Sequence, residues 1–203
     1  MTSVTGPGRF SAGPEIPIAK PVTQRNLRRG WRTLGLTLAL LLCGQAAAAS
    51  KLEGLLVYGN GFRFGVREPT GWRGSTGEAQ PLSANVVFYR EGESAESAVA
   101  LFRVRLDQKA DEDIAADLAA DMDGYRSQYP GVEFRDLAIK HPAYKVVAKL
   151  FAVPGQFYEY VAYVNPGRGR PWVFAASLNK QRVEATADEL AAFRRMIASL
   201  QLL

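Results

Sequence analysis

Cysteine occurs once, at Cys43, and histidine once, at His141. One cysteine forms no intramolecular disulfide and builds no thiolate metal cluster. A zinc site would have to rest on His141 and carboxylates alone, which is a poor set. A Ser-His-Asp triad would also have to use His141, and no Gly-x-Ser-x-Gly elbow is present. His141 precedes Pro142 between two predicted strands, so it reads as a turn residue. No metal and no cofactor are expected. There is no internal repeat and no low-complexity tract. No apolar run reaches the ~20 residues that a membrane span needs. Charge imbalance is lacking too, once the chain is divided. Residues 1–49 hold six of the 25 basic residues and one of the 20 acids, which leaves 19 of each sign in 50–203. The pI of about 9.4 therefore belongs to the leading segment. It is not the footprint of a nucleic-acid-binding face.

What the leading segment does have is an order of features. Arg25-Asn26-Leu27-Arg28-Arg29-Gly30-Trp31-Arg32 is basic, Leu34 to Leu42 is a short apolar run, and Ala47-Ala48-Ala49 fits a small-x-small site. Together they predict a secretory signal peptide cleaved between Ala49 and Ser50. Export to the periplasm or the medium follows. Two alternatives stand beside it. Cys43 is a candidate lipoprotein cysteine, opposed by Leu42 where a small residue is preferred. Arg28-Arg29 is a candidate twin-arginine signal, poorly matched by Arg32. The stretch before Arg25 is long for a basic leader, and a start near Val22 is expected. Residues 50–203 make one domain, large enough to bury about 70% of the surface of its unfolded chain. A monomer is expected.

The stretch Gly61 to Trp72 sets the pattern of the domain. Phe62, Phe64 and Val66 alternate with Arg63 and Arg67, which predicts a strand with one buried face. Pro69 stops the strand, and Pro69 and Gly71 suit the second and fourth places of a type I turn. Trp72 follows as a core anchor. The rest of the chain is expected to layer onto this strand. Gly71 to Ser83 reads as a loop, then strands are predicted at Asn85 to Arg90 and Ala98 to Leu106. In the latter, Ala100, Phe102, Val104 and Leu106 face one way, with Arg103 and Arg105 the other.

A helix is predicted from Asp111 to about Ser127, with Asp111 as N-cap and an apolar stripe of Ile114, Leu118, Met122 and Tyr125. Four strands follow: Glu133 to Lys140, Tyr144 to Val153, Phe157 to Val164 and Trp172 to Leu178. The second of them is apolar enough to be covered on both faces. A closing helix starts at Thr186 with Glu189 three residues on, a capping box. Its apolar face carries Leu190, Phe193, Ile197 and Leu200. Short turns between successive strands predict an antiparallel sheet. The expected class is α+β, with a central antiparallel sheet of about six or seven strands and helices packed on both faces.

A strand of the form Phe-x-Phe-x-Val ending in Pro-x-Gly-Trp, an acidic-capped helix at Asp111-Glu112-Asp113-Ile114, late antiparallel strands and a closing helix ending Phe193 … Ile197-Ala198-Ser199-Leu200 form a familiar series. Over residues 52–203 it resembles the PsbP-like group, whose fold is shared with the small Ran-binding protein Mog. The resemblance implies an antiparallel sheet with helices on both sides. It also implies action by binding other proteins, with no shared catalytic motif. Nothing in the sequence is specifically photosynthetic.

Several constellations have a functional and a plain reading. Asp113, Asp117 and Asp121 lie four apart on one helix face, as a solvated face or as a docking stripe for a basic partner. Asp121-Met122-Asp123-Gly124 lacks the spacing of an EF-hand loop. Arg168 and Arg170 sit at a predicted hairpin tip, as a solvated turn or a contact for an acidic partner. Gly74-Ser75-Thr76-Gly77 lacks the lysine and following helix of a phosphate loop. Tyr158 and Tyr160, if uncovered, are candidates for a ligand surface between sheet and helix. The function expected is a non-enzymatic, exported domain that binds an unidentified envelope protein; the alternative is a periplasmic carrier or sensor of a small ligand.

Overall fold

The computed structural model of the chain describes residues 54–110 and 112–203. The predicted signal peptide, its Ala49/Ser50 junction, Cys43, Arg28-Arg29 and the predicted cap Asp111 lie outside the described residues. Among the described residues are ten strands in two sheets, two α-helices and one 3-10 turn. Strands β1 (Leu55–Gly59), β2 (Phe62–Val66) and β10 (Gln201–Leu202) form a small antiparallel sheet in the order β1-β2-β10. Strands β3 (Trp72–Ser75), β4 (Val86–Arg90), β5 (Ala100–Gln108), β6 (Glu133–Asp136), β7 (Lys145–Val153), β8 (Phe157–Asn165) and β9 (Trp172–Gln181) form the large one. Its order is β3-β4-β5-β9-β8-β7-β6, with every neighbouring pair antiparallel. The helices are α1 (Ile114–Gln128) and α2 (Ala187–Ala198).

The predicted strand at 62–66 exists, with Phe64 and Val66 buried. It does not found the large sheet. Its partners are β1 on one side and the two-residue β10 on the other. The turn after it is also one residue later than expected. The Trp72 amide donates to the Pro69 carbonyl at 2.9 Å, and Gly71 has φ +76°. A positive φ at the third position is the mark of a type II turn and favours glycine there. The chain then enters β3 directly, within a stretch that reads as loop.

Alternation sets what each strand buries. Even-numbered residues Phe102 and Val104 of β5, Phe174, Ala176 and Leu178 of β9, and Tyr160 and Ala162 of β8 join one core cluster. That cluster includes Phe64 and Val66 of β2 and Ala192, Phe193, Met196 and Ile197 of α2. Odd-numbered Phe151, Val161, Tyr163 and Val173 instead cluster with Ile114 and Leu118 of α1. A third, smaller cluster joins Val87 and Tyr89 of β4 to Ala79, beside the 3-10 turn Gln80–Leu82. β7 contributes to both of the larger clusters, as its near-continuous apolar sequence requires.

The helix ends follow local chemistry. Asp113 caps α1, its carboxylate accepting the Ala115 amide at 3.1 Å. Thr186 and Glu189 make the predicted capping box on α2. The strand expected over 133–140 is shorter than predicted, ending at Asp136. Beyond it the Leu137 amide still reaches Ala148 O, but the Ile139 amide turns back onto Leu137 O, so the ladder stops.

His141 is held by the fold. Its Nδ1 accepts the amides of Ala143 and Tyr144, both at 3.0 Å, and its ring stacks on Tyr144. Nε2 must then carry the proton, and it donates to Leu200 O at 2.9 Å. Burial lowers its pKa, partly opposed by that bond to Leu200. The unfolded chain therefore takes up a proton first as pH falls. Stability present above about pH 6.5 should decline as acid carries the solution down through the folded-state pKa. Because this is the sole histidine, the urea midpoint between pH 7.5 and 5.5 should fall in the native chain and stay level in His141→Gln.

Candidate functional site

The odd-numbered face of the large sheet is covered unevenly. α1, about 22 Å long at 1.5 Å per residue, lies along β7 and β8. The segment with Ala79 and Leu82 covers β4. Between them the odd positions of β5 and β9 carry Arg103, Arg105, Ser177 and Asn179. Polar side chains at the middle of a sheet are costly when enclosed; here the face is open as a trough. Two adjoining hollows of about 240 and 370 Å³ share Arg103, Tyr125 and Glu159.

Cross-strand register assembles the polar centre. Arg103 lies opposite Ser177, and Asn179 opposite Glu159. The Arg103 guanidinium donates from Nη2 to Glu159 Oε1 at 2.6 Å and to Asn179 Oδ1 at 3.2 Å, and from Nε to Ser177 Oγ at 3.3 Å. Asn179 Nδ2 donates to Ser177 Oγ at 2.8 Å. Tyr125, reaching down from α1, donates its hydroxyl to Glu159 Oε2. The ion pair is asymmetric: the Glu159 side chain is 9% exposed and that of Arg103 is 35%. One edge of the guanidinium therefore remains in the trough.

A second pair stands alongside. Tyr163 donates its hydroxyl to Asp121 Oδ2, and Arg105 Nε donates to Asp107 Oδ2 at 2.6 Å. The phenol pKa of Tyr125 is raised by burial and then by the Glu159 carboxylate. That of Tyr163 is raised by burial and by its bond to Asp121. Both phenols thus stay protonated as donors near neutral pH, and neither offers an oxyanion nucleophile.

The residues singled out from the sequence separate in space. Asp121 is half-buried and bonded to Tyr163, and Asp117 is half-buried too. Of the acidic stripe, Asp121 alone lines the trough, while Asp113 is exposed to solvent. Helical spacing places the three acids along one side of α1, and the Asp121 end of that side reaches the trough, through Tyr163. Asp113 is taken up as a cap and pairs with Lys145 at 3.5 Å. Arg168 and Arg170 are exposed at the β8–β9 tip, as the hairpin reading expects. Tyr160 is 2% exposed, and its hydroxyl accepts the Ala185 amide at 3.0 Å, so its ring belongs to the core and not to an open ligand surface. Tyr158 is half-buried at the rim of the larger hollow. Gly74 and Ser75 lie in β3, not in a phosphate-type loop.

Arg103, Glu159, Ser177 and Asn179 were not singled out. One signal was present: Glu159 is the lone charge inside the otherwise apolar and aromatic run Phe157 to Val164, and a charge in such a run needs a partner. No group of three or more His, Cys, Asp or Glu placed to hold a metal occurs among the described residues. No described helix is long and apolar enough to cross a membrane. No family model matches the chain, and no curated protein matches it.

Proposed function

We propose that the protein is an exported, non-enzymatic binding domain of the cell envelope, and that it holds a partner protein in the trough between α1 and the Ala79–Leu82 segment. The observation that carries this reading is the Arg103–Glu159–Tyr125 network. It is fixed from beneath by Ser177 and Asn179 and left open on its outer edge. Supporting it are the signal-like order of residues 25–49, the balanced charge of 50–203 and a histidine fully engaged in holding the fold. The three-layer, PsbP-like arrangement with helices on both faces is part of the same proposal. It rests on the separate cluster memberships of α1 and α2.

Photo-cross-linking in the native envelope tests it. A photoreactive residue at Leu82 or Val99, both lining the hollows, should give one recurrent protein adduct. The same residue at exposed Arg195 of α2 should not. No adduct from the trough positions, or equal adducts from Arg195, would remove the trough as the binding face. Substrate turnover lost on altering a trough residue would remove the non-enzymatic reading.

A small-ligand carrier is the second reading, favoured by the hollow volumes alone. The place first expected for such a ligand, beside Tyr160, is solid core.

A further inference from the structure

Resting on the binding reading above, we propose that the trough anchors its occupant by a carboxylate, seated on the free edges of Arg103 and Arg105. The two arginines alternate onto the same face of β5 and line the same hollow. Each guanidinium is held from one edge only. Arg103 spends Nε and Nη2 on Ser177, Glu159 and Asn179, and its Nη1 makes no hydrogen bond among the described residues. Arg105 spends Nε on Asp107, and both of its Nη atoms are without an acceptor among the described residues. Three donor nitrogens thus border one hollow with no acceptor for them among the described residues.

A planar guanidinium fork suits a carboxylate with two parallel hydrogen bonds. Arg103 is also preorganised, so little of its side-chain freedom is lost on binding. The charge around the site selects among anions. Glu159 and Asp107 pair with the two arginines, and Asp121 lines the same hollow, so three acids stand there against two arginines. That excess of acid opposes any anion, so a carboxylate is held by the directional hydrogen bonds of the two free guanidinium edges and carries only one charge against the acids. A phosphate dianion would meet greater repulsion from the same three acids. The carboxylate comes from an Asp or Glu side chain of an extended segment, or from a chain terminus.

A panel of immobilised, otherwise neutral peptides separates these cases, using the purified full chain. Members carry a central Glu, Gln or phosphoserine with an amidated terminus, or a central Gln with a free terminal carboxylate. Retention of the Glu peptide, or of the free-terminus peptide, over the amidated Gln peptide is expected and tells which source is used. Arg105→Gln should weaken that retention roughly tenfold or more, and Arg105→Lys should recover only part of it. Arg105 is half-exposed and outside the Glu159 network, so these variants should fold; Arg103→Gln is compared only where its unfolding transition is native-like. Equal retention of Gln and Glu peptides, tighter retention of phosphoserine, no effect of Arg105→Gln, or no retention of any carboxylate peptide would each overturn the proposal. A recurrent envelope adduct together with failed carboxylate peptides would leave the binding reading standing without this anchor. Carboxylate retention without any envelope adduct would leave the anchor and remove the protein partner.

Discussion

Trp72→Ala is expected to lower the unfolding free energy by about 3–5 kcal/mol, a large share of the ~5–15 kcal/mol that a domain of this kind has. The indole is 3% exposed. It stacks on Phe102 with ring centroids 3.9 Å apart and lies under the Arg90 guanidinium, 4.5 Å from its ring. Phe102 in turn touches Phe193 of α2, so the cavity left by alanine would open at the junction of β3, β5 and α2. Trp72→Phe keeps a ring in the stack and should lose less. Urea unfolding followed by far-ultraviolet circular dichroism measures both. A loss under about 1 kcal/mol for Trp72→Ala would mean that the site collapses around the cavity, contrary to a close-packed core.

Glu189→Ala is expected to cost as much, for a different reason. Its carboxylate accepts Lys180 Nζ at 2.9 Å, and the side chains are 9% and 4% exposed. Removing one member of a buried pair strands the other charge, at a cost of about 3–5 kcal/mol. The same carboxylate also closes the capping box by accepting the Thr186 amide at 2.8 Å. Burial alone would raise the Glu189 pKa. The bond from Lys180, the Thr186 amide and the Lys180 charge outweigh it and hold the pKa below the usual carboxylate range. Stability from this group is therefore present above about pH 4.5 and lost as acid carries the solution through the lower folded-state value. Glu189→Gln separates the contributions, since an amide oxygen can still cap while the charge is gone. It should recover about 1 kcal/mol relative to alanine, the value of a typical cap. Lys180→Met combined with Glu189→Gln should recover most of the remainder, because no buried charge is then left unpaired.

The local devices were legible because they act over a few residues. Thr186 and Glu189 are three apart, and a capping box needs nothing else. The alternation Phe102-Arg103-Val104-Arg105 names the two faces of β5 wherever that strand lies. Asp113, not the expected Asp111, caps α1: three consecutive acids at 111–113 all suit a helix start, and spacing alone does not choose among them. The acidic stripe at 113, 117 and 121 was located on one helix face, but which way that face turns depends on where α1 docks. Tyr160 could not be told from Tyr158 in composition. Their separation came from the Ala185 amide that closes over the Tyr160 hydroxyl.

The amino-acid sequence by itself determined both helices and seven of the strands among the described residues (β2 and β4 to β9, with β6 shortened, less the short β1, β3 and β10), the antiparallel pairing of neighbours joined by short turns, and the main core positions. Each of these follows from local periodicity, turn chemistry and the transfer of apolar side chains from water. Only the tertiary structure decided that β2 pairs with β10 in a sheet of its own, that Lys180 finds Glu189, and that Arg103 meets Glu159 across β9. Those contacts join residues on separate elements, and their geometry is set by strand register and by how far α1 reaches over the sheet. The trough exists for the same reason: one helix covers part of a seven-stranded face, and the polar residues of β5 and β9 occupy the part it leaves open.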